Sequence, residues 1–465
     1  MRRLQFHRLS GLTGLVHDRT VRLAVTGLSG SGKTAFITSL VCNLLSAGGR
    51  PARLPFLRSA AERRIVGAKL LAPDDGTISQ FPVHHTIAAL ADDPPHWPPG
   101  TTDLRRIVLS LRFAPAGFIG RAAGGTAELR LEILDYPGEW LLDLPLLGRS
   151  YHEWSRVALD LARRGARKPL AGEWLDFVGR QRANADGDSV VVRRAHDLYR
   201  AFLEACRTRE QLSLLQPGRF LNPGHMADPS LLWFCPMPLP IGARRRAGSL
   251  GAIMEERFEA YKRAVVQPFF MHLGRNVDRQ IVLVDVLRAL NAGEEAFTDQ
   301  RLALETILEA FRFGRRSPLR LLFGARIDRV LFAATKADHV PALQRDHLEA
   351  LTANLVAVPT LRARQAHARV AAAALASIRC TDDGTDVIDG HKVDVVIGLP
   401  QGGERRIRFF PGIVPVTPPP TGFWGERFTE FPIFQPPRIA GAGGDGVPHI
   451  NLDKALEFLL GDVLA

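Results

Sequence analysis

A mostly parallel α/β sheet interrupted by a large helical insertion is the fold class that the 465-residue sequence predicts. Three observations carry it. Apolar runs at 21–25 (VRLAV), 127–134 (AELRLEIL), 280–286 (QIVLVDV) and 330–334 (VLFAA) read as strands, and Gly, Asp, Thr or Lys closes or follows each one. Amphipathic helical patterns dominate between Trp140 and Asn276. The strand–helix rhythm then resumes from Gln280 onward.

The first element alternates Val21, Leu23 and Val25, and Gly27-Leu28-Ser29-Gly30-Ser31-Gly32-Lys33-Thr34 follows, fitting G-x-x-x-x-G-K-[ST] at every specified position. Phe36, Ile37, Leu40, Val41 and Leu44 then recur at helical spacing. Glycines let the backbone turn tightly and aim successive N–H groups at phosphate oxygens, and the positive end of the new helix faces the same anion. Ser29, Gly30, Ser31, Gly32, Lys33, Thr34 and Ala35 form the expected phosphate cradle. Lys33 supplies a point charge for the β- and γ-phosphates, and the Thr34 hydroxyl is a Mg²⁺ ligand. The chain is thereby placed among P-loop NTPases.

Gly48 to Asp75 is arginine-rich and ends in a turn at Pro73-Asp74-Asp75-Gly76. Asp92 to Thr102 holds four prolines in eleven residues, which excludes a helix or a central strand and reads as an exposed loop. Leu104–Phe113 and Ala127–Leu134 alternate as two strands, joined around Gly117–Gly125 into an antiparallel hairpin. Helical patterns cover Tyr151–Arg164, Val190–Arg207 and Ile253–Leu273, with a Pro-rich patch at Trp233–Pro240. A buried strand at Gln280–Val286 is followed by a helix at Phe297–Phe313 and a further strand at Val330–Ala334. The Ala-rich stretch Leu361–Ile378 ends as helix or strand, Val393–Ile397 and Arg405–Phe410 form a hairpin, and Pro411–Gly446 meanders. Asn451 caps a closing helix with Leu452, Leu456, Leu459 or Leu460, and Val463 on one face. The expected division is a core in two parts, 1–139 and 277–465, around a helical domain at 140–276.

Three further motifs complete the site. Asp135-Tyr136-Pro137-Gly138 directly follows a strand: its aspartate can hold Mg²⁺ and its glycine N–H can meet the γ-phosphate. Thr335-Lys336-Ala337-Asp338 follows another strand and resembles the base-reading N/T-K-x-D of GTPases. Its Asp338 carboxylate accepts from guanine N1–H and the 2-amino group, a pair of donors that adenine lacks. Thr335 in place of Asn removes an amide brace from that loop. The loop before Leu104 offers Thr101 and Thr102 to cover the metal and the γ-phosphate, with Thr102 taken as a metal ligand beside Thr34 and Asp135. Thr77 and Thr86 compete with them. Trp97 either shields the nucleotide or anchors the Pro-rich turn. Ser377 and Ile378 are candidates for the base edge, and His339, next to Asp338, either joins them or caps a helix. Glu139 stands where many GTPases carry Gln or His to orient water, and a carboxylate there predicts slow intrinsic hydrolysis.

The net charge of +12 comes from 53 arginines and seven lysines. The arginines are dispersed apart from Arg244-Arg245-Arg246, which argues against a nucleic-acid surface. Cys42, Cys206, Cys235 and Cys380 form no C-x-x-C pair and fit reduced thiols in the cytoplasm. No run reaches the length of a membrane-spanning helix, and MRRLQFHRLSGL at the start lacks the apolar core of a signal peptide. Its Arg2, Arg3 and Arg8 beside Leu4, Phe6, Leu9 and Leu12 read as packing on the core or resting on a membrane.

GLSGSGKTAFITSL, DYPGEW, VLVDVLRALNAG, ATKADH and HINLDKALEFLLGD together resemble the bacterial YcjX family, over essentially the whole length. The resemblance implies a stress-associated protein with a GTPase-like core and a large helical insertion, binding GTP/GDP with Mg²⁺. It also implies a link to phage-shock-type envelope stress and a membrane-protein partner of the YcjF type, hence a peripheral place at the inner membrane. The expected activity is hydrolysis of GTP to GDP and phosphate. An ATPase or small-molecule kinase, and a nucleotide-binding scaffold without turnover, are the alternatives.

Overall fold

The computed structural model describes residues 19–49, 53–72, 78–116, 125–226, 228–239, 246–275, 277–310, 327–365, 367–424, 431–440 and 445–465. The basic N-terminal segment, the turn at Pro73–Gly76, Thr77, most of the turn at Gly117–Gly125, and Arg244 and Arg245 lie outside them.

Eight strands form the main sheet among the described residues. They are β1 (Arg19–Thr26), β2 (Ile65–Leu71), β3 (Ser79–Gln80), β4 (Arg105–Phe113), β5 (Ala127–Asp135), β6 (Arg279–Val284), β7 (Arg329–Ala334) and β8 (Arg369–Ala374). The order is β2-β4-β5-β1-β6-β7-β8, with β3 beside β4. β5, β1, β6, β7 and β8 run parallel, whereas β4 pairs antiparallel with β5 and with β2. The hairpin expected from alternation is therefore present, register Arg105 opposite Asp135 through Phe113 opposite Ala127.

The continuous apolar runs follow from burial on both sheet faces. Ile281 and Leu283 point into one core with the Lys33–Ser46 and Leu452–Leu460 helices, while Val282 and Val284 point into another with the Val286–Ala292 and Arg345–Leu355 helices. Each fully buried Leu, Ile or Val contributes about 1.5–3 kcal/mol. β1 sits at the centre, because the chain after it builds one side of the sheet and the chain after β5 builds the other. The crevice outside the carboxyl end of such a strand is where open α/β sheets bind ligands.

Between β5 and β6 the chain is helical. A 3₁₀ run at Gly138–Gly148 leads into helices at Tyr151–Ala162, Gly172–Arg180, Ser189–Arg209, Leu250–Tyr261 and Gln267–Arg275. They share a separate aromatic core in which Trp154 stacks on Phe258 and Trp174 on Phe202.

The fold adds detail to the local expectations and departs from one of them at Asn451. The arginine-rich stretch holds the edge strand β2, and residues 83–91 form a helix. The Ala-rich stretch divides into the Ala357–Gln365 helix and β8. The expected hairpin is present as β10 (His391–Gly398) paired antiparallel with β11 (Ile407–Phe409), and β9 (Thr381–Ile388) adds a third strand antiparallel to β10. Asn451 occupies the N-cap position in a left-handed conformation, but its side chain accepts none of the helix's N–H groups, and its amide donates to the Ala374 carbonyl.

Candidate functional site

All the motif loops leave the carboxyl ends of neighbouring parallel strands. Residues 27–34 follow β1, Asp135 ends β5, Asp285 follows β6, Thr335–Asp338 follow β7 and Leu375–Ile378 follow β8.

Gly30 and Gly32 hold the phosphate loop in left-handed conformations, at φ 77° and 84°, that a β-carbon disfavours. Gly32 is the N-cap residue of the Lys33–Ser46 helix, and no side chain caps that end, so its first N–H groups face the loop interior. The Ser31 hydroxyl is buried and has no hydrogen-bond partner among the described residues. Lys33 Nζ donates to the Gly27 carbonyl at 2.6 Å and the Leu28 carbonyl at 3.3 Å. Burial lowers its pKa, while Glu139 and Asp135 pull the other way. A buried ammonium held on loop carbonyls is a cation stored where an anion is expected.

Three oxygen-bearing side chains meet beside the loop. Thr101 Oγ1 donates to the Asp135 carboxylate, 3.0 Å from Oδ1 and 2.8 Å from Oδ2, and stands 3.4 Å from Thr34 Oγ1. Burial pushes the Asp135 carboxyl up to about 6, against the pull of Lys33 and Thr101. Two hydroxyls and one carboxylate fit Mg²⁺, which keeps waters and phosphate oxygens as its other ligands. Among the described residues, no group of three or more His, Cys, Asp or Glu is placed to hold a metal ion.

The choice between adjacent threonines is made by the fold. Thr102 Oγ1 donates to Asp103 at 3.0 Å, so Thr101 and not Thr102 joins Thr34 and Asp135. Thr86 is buried in its helix and donates to the Val83 carbonyl. Gly138 touches the phosphate loop itself, because a β-carbon there would overlap the Gly27 carbonyl. Glu139 lines a narrow cavity with Ser29, Ser31, Arg207 and Arg288.

At the other end, Lys336 adopts a left-handed conformation at φ 59° and its ammonium pairs with Asp285 at 2.6 Å. Asp338 is buried, and its Oδ2 accepts the Cys380 N–H at 2.9 Å. The Thr381 hydroxyl donates to its carbonyl, and the Ala337 N–H donates to Leu375. The loop after β8 is braced by the C-terminal segment: Ala376 and Ile450 exchange N–H···O bonds of 3.0 and 2.8 Å. Ser377 and Ile378 are buried in that braced loop.

Two candidates look elsewhere. Trp97 Nε1 donates to the Phe434 carbonyl at 2.9 Å, anchoring the Pro-rich loop to the segment that bridges to Pro400. His339 is buried edge-on to Phe434 and stacked with Phe431, and burial lowers its pKa. Sequence reasoning missed Asp285, Asn222 and Asp143. Asp285 had a readable signal, an aspartate between a buried strand and a helix, and its side chain accepts the Arg288 N–H. The other two had none.

Two curated relatives align with the whole or nearly the whole chain. The "Ras-like GTPase YcjX" of Escherichia coli (strain K12) is 37% identical over 471 aligned residues, covering 100% of both chains. The "Ras-like GTPase YcjX" of Shewanella oneidensis is 35% identical over 462, covering 96% of this chain and 95% of its own. Residues 21–464 match the family described as "YcjX-like family, DUF463". With the sheet order, the phosphate loop and these full-length likenesses agreeing, the chain belongs to the YcjX-like family.

Proposed function

We propose that this protein is a Mg²⁺-dependent guanine-nucleotide switch that hydrolyses GTP slowly to GDP and phosphate. The observation that carries the reading is the convergence of Thr34, Thr101 and Asp135 oxygens beside Lys33, on the same sheet edge as Asp338. Both relatives are named as GTPases, which supports GTPase chemistry.

In this reading Lys33 exchanges its Gly27 and Leu28 carbonyls for the β- and γ-phosphate oxygens. The N–H groups of residues 29–35 and the Ser31 hydroxyl bind the remaining oxygens. Thr34, Thr101 and Asp135 would hold Mg²⁺, which would supply positive charge against the phosphates. Asp338, whose Oδ2 already accepts from Cys380 N–H, would accept from guanine N1–H and the 2-amino group, and facing adenine it would lose both of those donors at a cost of about 1–3 kcal/mol. Glu139, lining the cavity beside Ser29, brings a negative charge toward the triphosphate and keeps intrinsic turnover below about 1 s⁻¹. Residues 140–276 act as a helical domain inserted between the two parts of the core.

The test is competition of GTP, ATP and XTP for the wild type and for Asp338→Asn. Wild type is expected to prefer GTP, and the variant to shift toward XTP, because Asn donates where Asp accepts. Equal competition by ATP in the wild type, or no shift in the variant, would favour the ATPase or kinase reading.

A further inference from the structure

The helical segment between β5 and β6 does more than pack beside the sheet. Its residues 217–226 cross both loops that flank the metal position. Gly218 N–H donates to Asp143 Oδ1 at 2.7 Å and Arg219 N–H to Oδ2 at 3.2 Å. The Tyr261 hydroxyl donates to the same Oδ2 at 2.6 Å. One buried carboxylate thus binds this strap and the Leu250–Tyr261 helix to the run that begins at Gly138. The Arg219 guanidinium lies 3.2 Å over the Trp140 ring.

The centre of the strap is Asn222. Its Nδ2 donates to the Thr101 carbonyl at 3.3 Å, and its own carbonyl accepts from Trp140 Nε1 at 2.8 Å. Two residues on, Gly224 at φ 64° lets the backbone pass between Trp140 and Asp103, where a β-carbon would crowd both. His225 N–H then donates to Asp103 at 2.7 Å. Thr101 belongs to the loop before β4 and Trp140 to the 3₁₀ run after β5, so the strap joins two segments that approach the phosphate site from different strands.

We propose that Asn222 is a positioning residue for the reaction, holding Thr101 against Asp135 and Thr34 and coupling that loop to Trp140 through the helical insertion. The proposal rests on the reading of Thr34, Thr101 and Asp135 as the Mg²⁺ ligands. The physical ground is that Thr101 lies at the end of a Pro-rich loop outside any regular ladder, so its hydroxyl stays in place only if its backbone is tied. Asn222 supplies that tie from the insertion. A change that moves Thr101 is felt by the strap, and a partner that moves the strap is felt at Thr101.

The test compares the full-length wild type with Asn222→Ala and with Asn222→Asp. The Asp variant keeps the side-chain shape and the carbonyl facing Trp140 but loses the donor to Thr101. Both variants are expected to show faster amide exchange at residues 100–103 without nucleotide. Both should need about three- to tenfold more Mg²⁺ for half-maximal GTP turnover, the worth of one hydrogen bond. GDP affinity in excess chelator should stay within about twofold of wild type, since the phosphate loop and base loop are untouched. Wild-type exchange at 100–103, an unchanged Mg²⁺ requirement, or an equal loss of GDP affinity in chelator would each overturn the proposal. A wild type that binds no guanine nucleotide would defeat the functional reading instead, and the exchange measurement would still decide whether Asn222 holds the loop.

Discussion

Gly138 lies directly against Gly27, so close that a β-carbon at 138 would overlap the Gly27 carbonyl and crowd the Leu28 N–H. Its backbone conformation is not left-handed, so the demand for glycine here is one of space. Gly138→Ala must displace either the phosphate loop or the turn after β5. It is expected to lose about 1–3 kcal/mol of stability as an overpacked contact. Nucleotide affinity should fall with it, as read by thermal denaturation and nucleotide titration on the same preparation.

Asp143 gives a pH dependence whose sign can be worked out. Burial raises its carboxyl from 3.8 to about 6, with Tyr261, Gly218 and Arg219 pulling down. The folded state therefore binds a proton that the unfolded chain has released between about pH 4 and 6. Its contribution is full below that window and declines as pH rises through it, by a total on the order of 3 kcal/mol. Asp143→Asn cannot titrate, so wild-type stability minus variant stability should fall from pH 4.5 to 6.5 and level off above. Urea denaturation across that range checks it, and a difference that rises with pH would refute it.

Lys33 Nζ donates to two loop carbonyls, those of Gly27 and Leu28. Lys33→Ala removes a buried charge along with its phosphate partner. Stability should change little or improve, because the desolvation cost disappears with the ammonium. Nucleotide affinity should drop on the order of a hundredfold, about 2.7 kcal/mol. Denaturation and nucleotide binding, measured together, separate the two effects.

Trp97 anchors the Pro-rich loop through its bond to the Phe434 carbonyl. Trp97→Phe keeps an aromatic ring and removes the donor, so about 1 kcal/mol of stability should be lost. GTP and GDP affinities should remain within about twofold of wild type. A large selective loss of nucleotide affinity would show that the indole faces the ligand.

What could be read along the chain was whatever the chain keeps together. The phosphate loop is eight consecutive residues between a strand and a helix, and its φ-positive glycines stand where a tight turn needs them. The β4–β5 hairpin and the buried runs of β6 and β7 are likewise local patterns. β2, IVGAKLL, is rich in apolar residues but was hidden because they do not alternate: Gly67 and Lys69 interrupt them, the register shifts at Ile65/Gly67, and only Ile65 is buried. β9, TDDGTDVI, has low strand propensity and is held by its ladder to β10.

Sequence by itself determined the glycine-rich turn between β1 and the Lys33–Ser46 helix, the order of the motif loops and the helical character of the stretch between them. Local steric and periodic rules suffice for those. Only the tertiary structure decided that Thr101 reaches Asp135 while Thr102 turns to Asp103, because adjacent residues of one type carry the same sequence signal. It alone brought Asn222 to Thr101 and Trp140, across 121 and 82 positions of chain. Contacts at that separation are set by how the sheet and helices pack, and no periodicity or propensity records them.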